Sequence, residues 1–140
     1  MTVSALRGAL SIAWLAVASA ALAATAQPTL RSALQSSSHV VVVFTVGDLR
    51  PGVVQIASRP TKGPAGGFVD ASLMLTEVVT ARPDPATGLV RWRTRHTLPL
   101  RTYYVQVSAI ETGGSADCKP SLRNCPVHWS NVRVVSPRGA

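Results

Sequence analysis

Leu98-Pro99-Leu100-Arg101-Thr102-Tyr103-Tyr104-Val105-Gln106-Val107-Ser108-Ala109 reads as a loop that turns into a strand. From Tyr103 onward the pattern has a period of two. Tyr103, Val105, Val107 and Ala109 fall on one face, and Tyr104, Gln106 and Ser108 on the other. A pleated strand sends successive side chains to opposite faces, so the first set is predicted to enter the core and Tyr104 to stand outside it. Each buried large side chain contributes on the order of 1.5–3 kcal/mol before chain entropy is subtracted.

On either side of this strand, proline and glycine punctuate the chain. All ten prolines and all but one of the ten glycines lie beyond residue 26. Between them stand short runs rich in Val, Ile, Thr, Tyr and Phe, a composition that fits pleated backbone with tight connections. Seven strands are predicted, at 30–34, 39–46, 53–57, 68–79 (in one piece or two), 89–97, 103–111 and 128–135. No segment beyond residue 26 keeps an apolar 3.6-residue period long enough for a helix. The prediction is an all-β sandwich or barrel. Val40-Val41-Val42-Val43-Phe44 has no polar face, so it is expected to be a central strand covered on both sides.

Leu98-Pro99-Leu100-Arg101-Thr102-Tyr103, followed by Val105, Val107 and Ala109, resembles the L-x-P-G-T-x-Y-x-V-x-V-x-A signature of fibronectin type III domains, with the proline at 99 and no glycine. Pro28-Thr29-Leu30 is similar to the opening of such domains, with Phe44 where the family has a core Trp. Trp129-Ser130-Asn131-Val132-Arg133-Val134 is similar to their last strand. The resemblance implies a seven-stranded antiparallel immunoglobulin-like or fibronectin type III-like sandwich. It also implies a tyrosine corner, in which the Tyr103 hydroxyl bonds back to upstream backbone and Leu98 packs beneath.

The chain has 140 residues, room for one domain of ordinary size. With 46% apolar and 14% charged residues it is not an intrinsically disordered composition. Arg7 is the only charge before Arg31, and residues 9–26 are apolar or small throughout. That pattern describes a secretory signal peptide. Cleavage is expected after Ala26, with Ala24 and Ala26 as the small pair; Ala21 and Ala23 offer a second frame. An uncleaved anchor is the alternative, at the short end of spanning length. The expected organisation is a signal peptide at 1–26, a domain at 27–137 and a tail at 138–140. Such a protein would be secreted, monomeric and without stable membrane insertion.

Fourteen Lys and Arg against six Asp and Glu give a formal charge of +8. The most basic stretch is Leu89-Val90-Arg91-Trp92-Arg93-Thr94-Arg95-His96. In a strand, Trp92 belongs to the core while Arg91, Arg93 and Arg95 form an outward ladder. Such a ladder can bind an anionic glycan, lipid or cell-envelope polymer. It can equally be a solvated face whose arginine stems cover apolar neighbours and discourage edge pairing. Nucleic acid is not an expected partner, because no aromatic stacking platform accompanies the arginines.

Cys118 and Cys125 are expected to form one disulfide across the connection between the last two strands. A metal site with His128, or a redox pair, is the sharper alternative, but the spacing is not C-x-x-C and a fourth ligand is missing. Tyr104 and Trp129 are candidate contacts at the rim of that connection, where aromatics serve as binding anchors; Trp129 can instead seal one end of the sandwich. Catalysis has little to work with. There is no G-x-S-x-G, H-E-x-x-H or phosphate loop. The odd spacing of Asp70 and Glu77 puts them on opposite faces of a continuous strand. No enzyme activity and no cofactor are expected. The sequence therefore points to a non-catalytic interaction module for an extracellular protein or cell-envelope component, with an electrostatic binder of anionic glycan or lipid as the alternative. Phe44, Trp92, Leu98, Tyr103, Val105 and Val107 are the predicted core.

Overall fold

The computed structural model describes residues 27–111 and 126–137. These residues form strands in two antiparallel sheets, with one short 3-10 turn at Asp70–Ser72 and no α-helix among them. The protein is all-β. The strands are β1 (Thr29–Ser36), β2 (His39–Thr45), β3 (Arg50–Ala57), β4 (Leu73–Val78), β5 (Leu89–Arg93), β6 (Tyr103–Ile110), β7 (Val127–Trp129) and β8 (Arg133–Val135). One sheet has the order β1-β2-β5. In the other the order is β4-β3-β6-β7, with β8 also pairing with β6.

Several elements differ from the sequence expectation. The strand expected at 128–135 is two, because Ser130 and Asn131 spend their side chains on other partners. Ser130 Oγ accepts the Val107 N–H at 3.0 Å, and Asn131 reaches across to Leu30. The strand expected from residue 68 begins only at Leu73, after the 3-10 turn. β2 is central in its sheet, but it is covered on one side only. Val40, Val42 and Phe44 are buried, whereas Val41 and Val43 are half-buried on the outer face. Their neighbours there are Ser32 and Leu34 of β1 and Arg91 and Arg93 of β5. The arginine stems, rather than a second layer, shield these valines.

The core lies between the sheets. Leu30, Val42, Phe44, Val90 and Trp92 from one sheet meet Val54, Ile56, Tyr103, Val105 and Val107 from the other, and Leu98 joins them from the β5–β6 connection. Tyr103 is fully buried, and its hydroxyl donates to the Pro99 carbonyl at 2.6 Å. Gln35 Nε2 donates to the same carbonyl at 3.2 Å. The connection is thereby tied both to β6 and to β1. Burial pushes the Tyr103 hydroxyl above its ordinary pKa, with the Arg101 charge pulling it part of the way back. Tyr104 is half-buried on the opposite face, across from Ala57 and Val134.

Tyr103→Phe is expected to destabilise the protein by about 1–2 kcal/mol, the cost of losing a buried hydrogen bond. Tyr104→Phe should change little. Urea unfolding of both variants measures the difference, and equal losses would mean that the register of β6 is off by one.

Candidate functional site

β5 is an edge strand: it pairs with β2, and among the described residues no strand pairs with its other side, where only its two ends are bonded, by Asp84 and Glu77. Its burial alternates, with Val90 and Trp92 inside and Arg91 and Arg93 exposed. Val90 is packed because it faces Phe44 across the ladder, and Trp92 because it faces Val42. This alternation is what puts two guanidinium groups side by side on the outer face.

Arg95 does not extend the ladder. The strand ends at Arg93, and the buried Thr94 closes it. Thr94 N–H bonds the Val40 carbonyl at 2.9 Å and Thr94 Oγ1 accepts the Val40 N–H at 3.0 Å. His39 donates from Nδ1 to the Thr94 carbonyl at 2.8 Å. Beyond this point the chain turns. The Arg95 guanidinium lies over the Trp92 ring, 5.2 Å from its centroid, and Nη2 donates to Thr80 Oγ1 at 3.3 Å. The expected three-arginine face is therefore a pair, Arg91 and Arg93, with Arg95 turned onto the indole.

The turn is organised by Glu77, whose spacing from Asp70 gives no sign of this role. It sits on β4 with a side chain only 5% exposed, on the same inward face as Leu73 and Leu75. Its Oε1 accepts the Trp92 indole N–H at 3.1 Å and the Arg95 N–H at 2.9 Å. Its Oε2 accepts the His96 N–H and the His96 Nδ1–H, both at 2.9 Å. One carboxylate thus holds the end of β5 from one sheet to β4 of the other. Burial alone would push the Glu77 carboxyl up; the backbone donors of His96 and Arg95, with the His96 and Trp92 side chains, outweigh it and hold the pKa below the ordinary 4.5. Asp70, in the 3-10 turn, is exposed and on a different element, so the two acids share no strand and no joint chemistry.

Trp129 lies within β7, opposite Ser108 on the outer face of the five-stranded sheet. The segment after β3 folds back over it. A Cβ on Gly66 would fall 2.7 Å from Trp129 Cδ1, and one on Gly67 would fall 3.0 Å from Cζ2. At Gly66 that approach needs glycine, whose φ there is +95°, and at Gly67 the contact leaves little room for a side chain. The covering segment is pinned by Gln55 and Gln106. Phe68 N–H donates to Gln55 Oε1 at 2.9 Å, and Gln106 Nε2 donates to the Gly66 carbonyl at 3.2 Å. Trp129 is accordingly a platform for its own chain rather than an end seal. Cys118 and Cys125 lie outside the described residues.

An open groove of about 910 Å³ lies between the β2–β3 turn and the segment after β4, lined by Leu49, Pro51, Val79, Ala81 and Pro83 among others. Among the described residues no group of three or more His, Cys, Asp or Glu is placed to hold a metal ion.

Glu77→Gln is expected to cost about 2–3 kcal/mol, since it sets an amide against buried N–H donors and removes the charge they were bonding. The pH dependence follows from the lowered carboxyl pKa. The contribution of Glu77 is fully present above pH 4.5 and is lost as pH falls through the lower value of the folded state. Urea unfolding from pH 7 to 3 should show the parent and Glu77→Gln converging in acid; a constant gap would exclude the carboxylate as its source. No protein-family model and no curated protein matches the chain, so its function rests on this geometry.

Proposed function

We propose that this protein is a secreted, non-catalytic β-sandwich of the fibronectin type III-like kind, working as an interaction module for an extracellular protein or cell-envelope component. What supports the fold type is the Tyr103–Pro99 bond together with the strand order. The fourth strand stands beside β3 and not beside β5, unlike the constant-type immunoglobulin arrangement. The observation that carries the interaction reading is the open edge at β5. An exposed strand edge is a template for another chain, and this one is short, flanked by bonded positions and marked by Arg91 and Arg93.

A second reading has its own observation. β1, β2 and β5 contain no acidic residue at all, while Arg31, Arg91 and Arg93 are exposed on them. A purely cationic sheet favours an anionic glycan or lipid held by charge. Salt separates the two readings, because ion pairing at an exposed surface is screened and a packed, hydrogen-bonded interface is much less so.

The full chain, immobilised and exposed to its native extracellular milieu, is expected to retain a protein partner through a wash at about 0.5 M salt. Arg91→Gln/Arg93→Gln should reduce that capture, and Arg50→Gln/Arg59→Gln, which removes equal charge outside the three-stranded sheet, should not. Binding to heparin or anionic vesicles that disappears by that salt, with no retained protein, would replace the module with the electrostatic binder. Equal loss in both double variants would reduce the attraction to net charge alone.

A further inference from the structure

β5 carries two rows of backbone groups, and the bonds already described settle which row is used. Thr94 N–H bonds the Val40 carbonyl, and hydrogen-bonded pairs alternate along an antiparallel ladder. Trp92 and Val90 therefore bond to β2, and the N–H and C=O groups of Leu89, Arg91, Arg93 and Arg95 point away from it. Two of these four positions are occupied. The Leu89 carbonyl accepts the Asp84 N–H at 2.9 Å, and the Arg95 N–H is held by Glu77. Between them the N–H and C=O groups of Arg91 and Arg93 have no partner among the described residues. This leaves a slot of two residues, with four backbone hydrogen bonds to offer, at the place where a constant-type immunoglobulin domain puts its fourth strand.

The side chains beside the slot select what can enter it. A strand added antiparallel to β5 pairs directly with Arg91 and Arg93, and directly opposed residues lie on the same face with their side chains in contact. A second copy of this chain adding through its own β5 would set arginine against arginine, which is repulsive. Acidic residues at alternate positions meet two unpaired guanidinium groups instead, since neither Arg91 nor Arg93 has an ion pair among the described residues. We propose that the β5 edge binds an extended peptide segment of a partner protein carrying Asp or Glu at positions i and i+2, which adds as a fourth strand to the three-stranded sheet. This deepens the interaction-module reading and rests on it. Glu77 already shows the chemistry on a small scale: one carboxylate takes the next outward amide in the same row.

The probe is an acetylated, amidated heptapeptide of alternating glutamate and valine, titrated into the full chain. Binding should slow hydrogen exchange at the Arg91 and Arg93 amides. In an antiparallel pair it is the glutamate N–H groups that bond the arginine carbonyls, so N-methylating the glutamates keeps every carboxylate and removes the ladder. That peptide should bind at least tenfold more weakly. Arg91→Glu/Arg93→Glu should lose the glutamate peptide and gain the corresponding lysine–valine one, a reversal that general destabilisation cannot produce. Equal binding of the N-methylated peptide would overturn the proposal in favour of charge alone, and so would no binding of the parent peptide. A partner captured equally by the parent and by Arg91→Glu/Arg93→Glu would overturn the slot and leave the module reading standing; no captured partner at all would remove the module reading itself.

Discussion

Two sheets packed face to face leave a seam along each side, and the buried carboxylate of Glu77 closes one of them. It belongs to β4, yet its donors come from β5 in the other sheet and the residues just after it: the Trp92 indole, the Arg95 and His96 amides and the His96 ring. A carboxylate this buried is tolerable only because each oxygen is met by donors. The consequences spread from there. Trp92 is oriented with its ring inside the core and its N–H satisfied, β5 stops at Arg93, and Arg95 is turned onto the indole. The opposite seam is closed by different means. Asn131 accepts the Leu30 N–H at 2.9 Å and donates to the Leu30 carbonyl at 3.1 Å, while Arg133 Nε donates to that carbonyl at 2.8 Å. The amide side chain of Asn131 there takes the place of a strand neighbour for β1.

Much of the core was legible as alternation. Tyr103, Val105 and Val107 follow from period two alone, and so does Trp92 with Val90. What could not be read this way was anything set by a partner distant in sequence. Glu77 shares a face with Leu73, Leu75 and Val79, so an inward acid was visible in principle. Comparing Glu77 with Asp70 alone, across opposite faces of a continuous strand, does not bring that out. A core tryptophan needs an acceptor for its N–H, and that need was the second available signal. Arg95 continues the alternation of Arg91 and Arg93 in sequence, but the strand does not continue, because a side chain from the other sheet takes its amide. Trp129 sits beside a long connection in sequence, whereas Gly66 and Gly67, more than sixty residues away along the chain, are what cover it. Val41 and Val43 misled in the other direction: an unbroken apolar run does not by itself require two covering layers.

The functional reading depends on the same seam. By fixing Arg95 and His96, Glu77 limits the open part of β5 to Arg91 and Arg93. A long bare edge invites association with any strand, its own copies included. A short edge carrying two like charges disfavours copies of itself, and under the proposed function it is the place for a partner of opposite charge. The all-cationic composition of β1, β2 and β5 adds long-range attraction to that place without contributing to the fold, since such charges steer encounter more than they hold a complex.

The most direct test of the central role of Glu77 is residue-resolved hydrogen exchange of the free protein. The Arg95 and His96 amides should be protected, the Arg91 and Arg93 amides should exchange freely, and Glu77→Gln should release Arg95 and His96 while leaving Val90 and Trp92 slow. Arg91 and Arg93 amides as slow as Val90 and Trp92, or Arg95 and His96 protection indifferent to Glu77, would contradict the account.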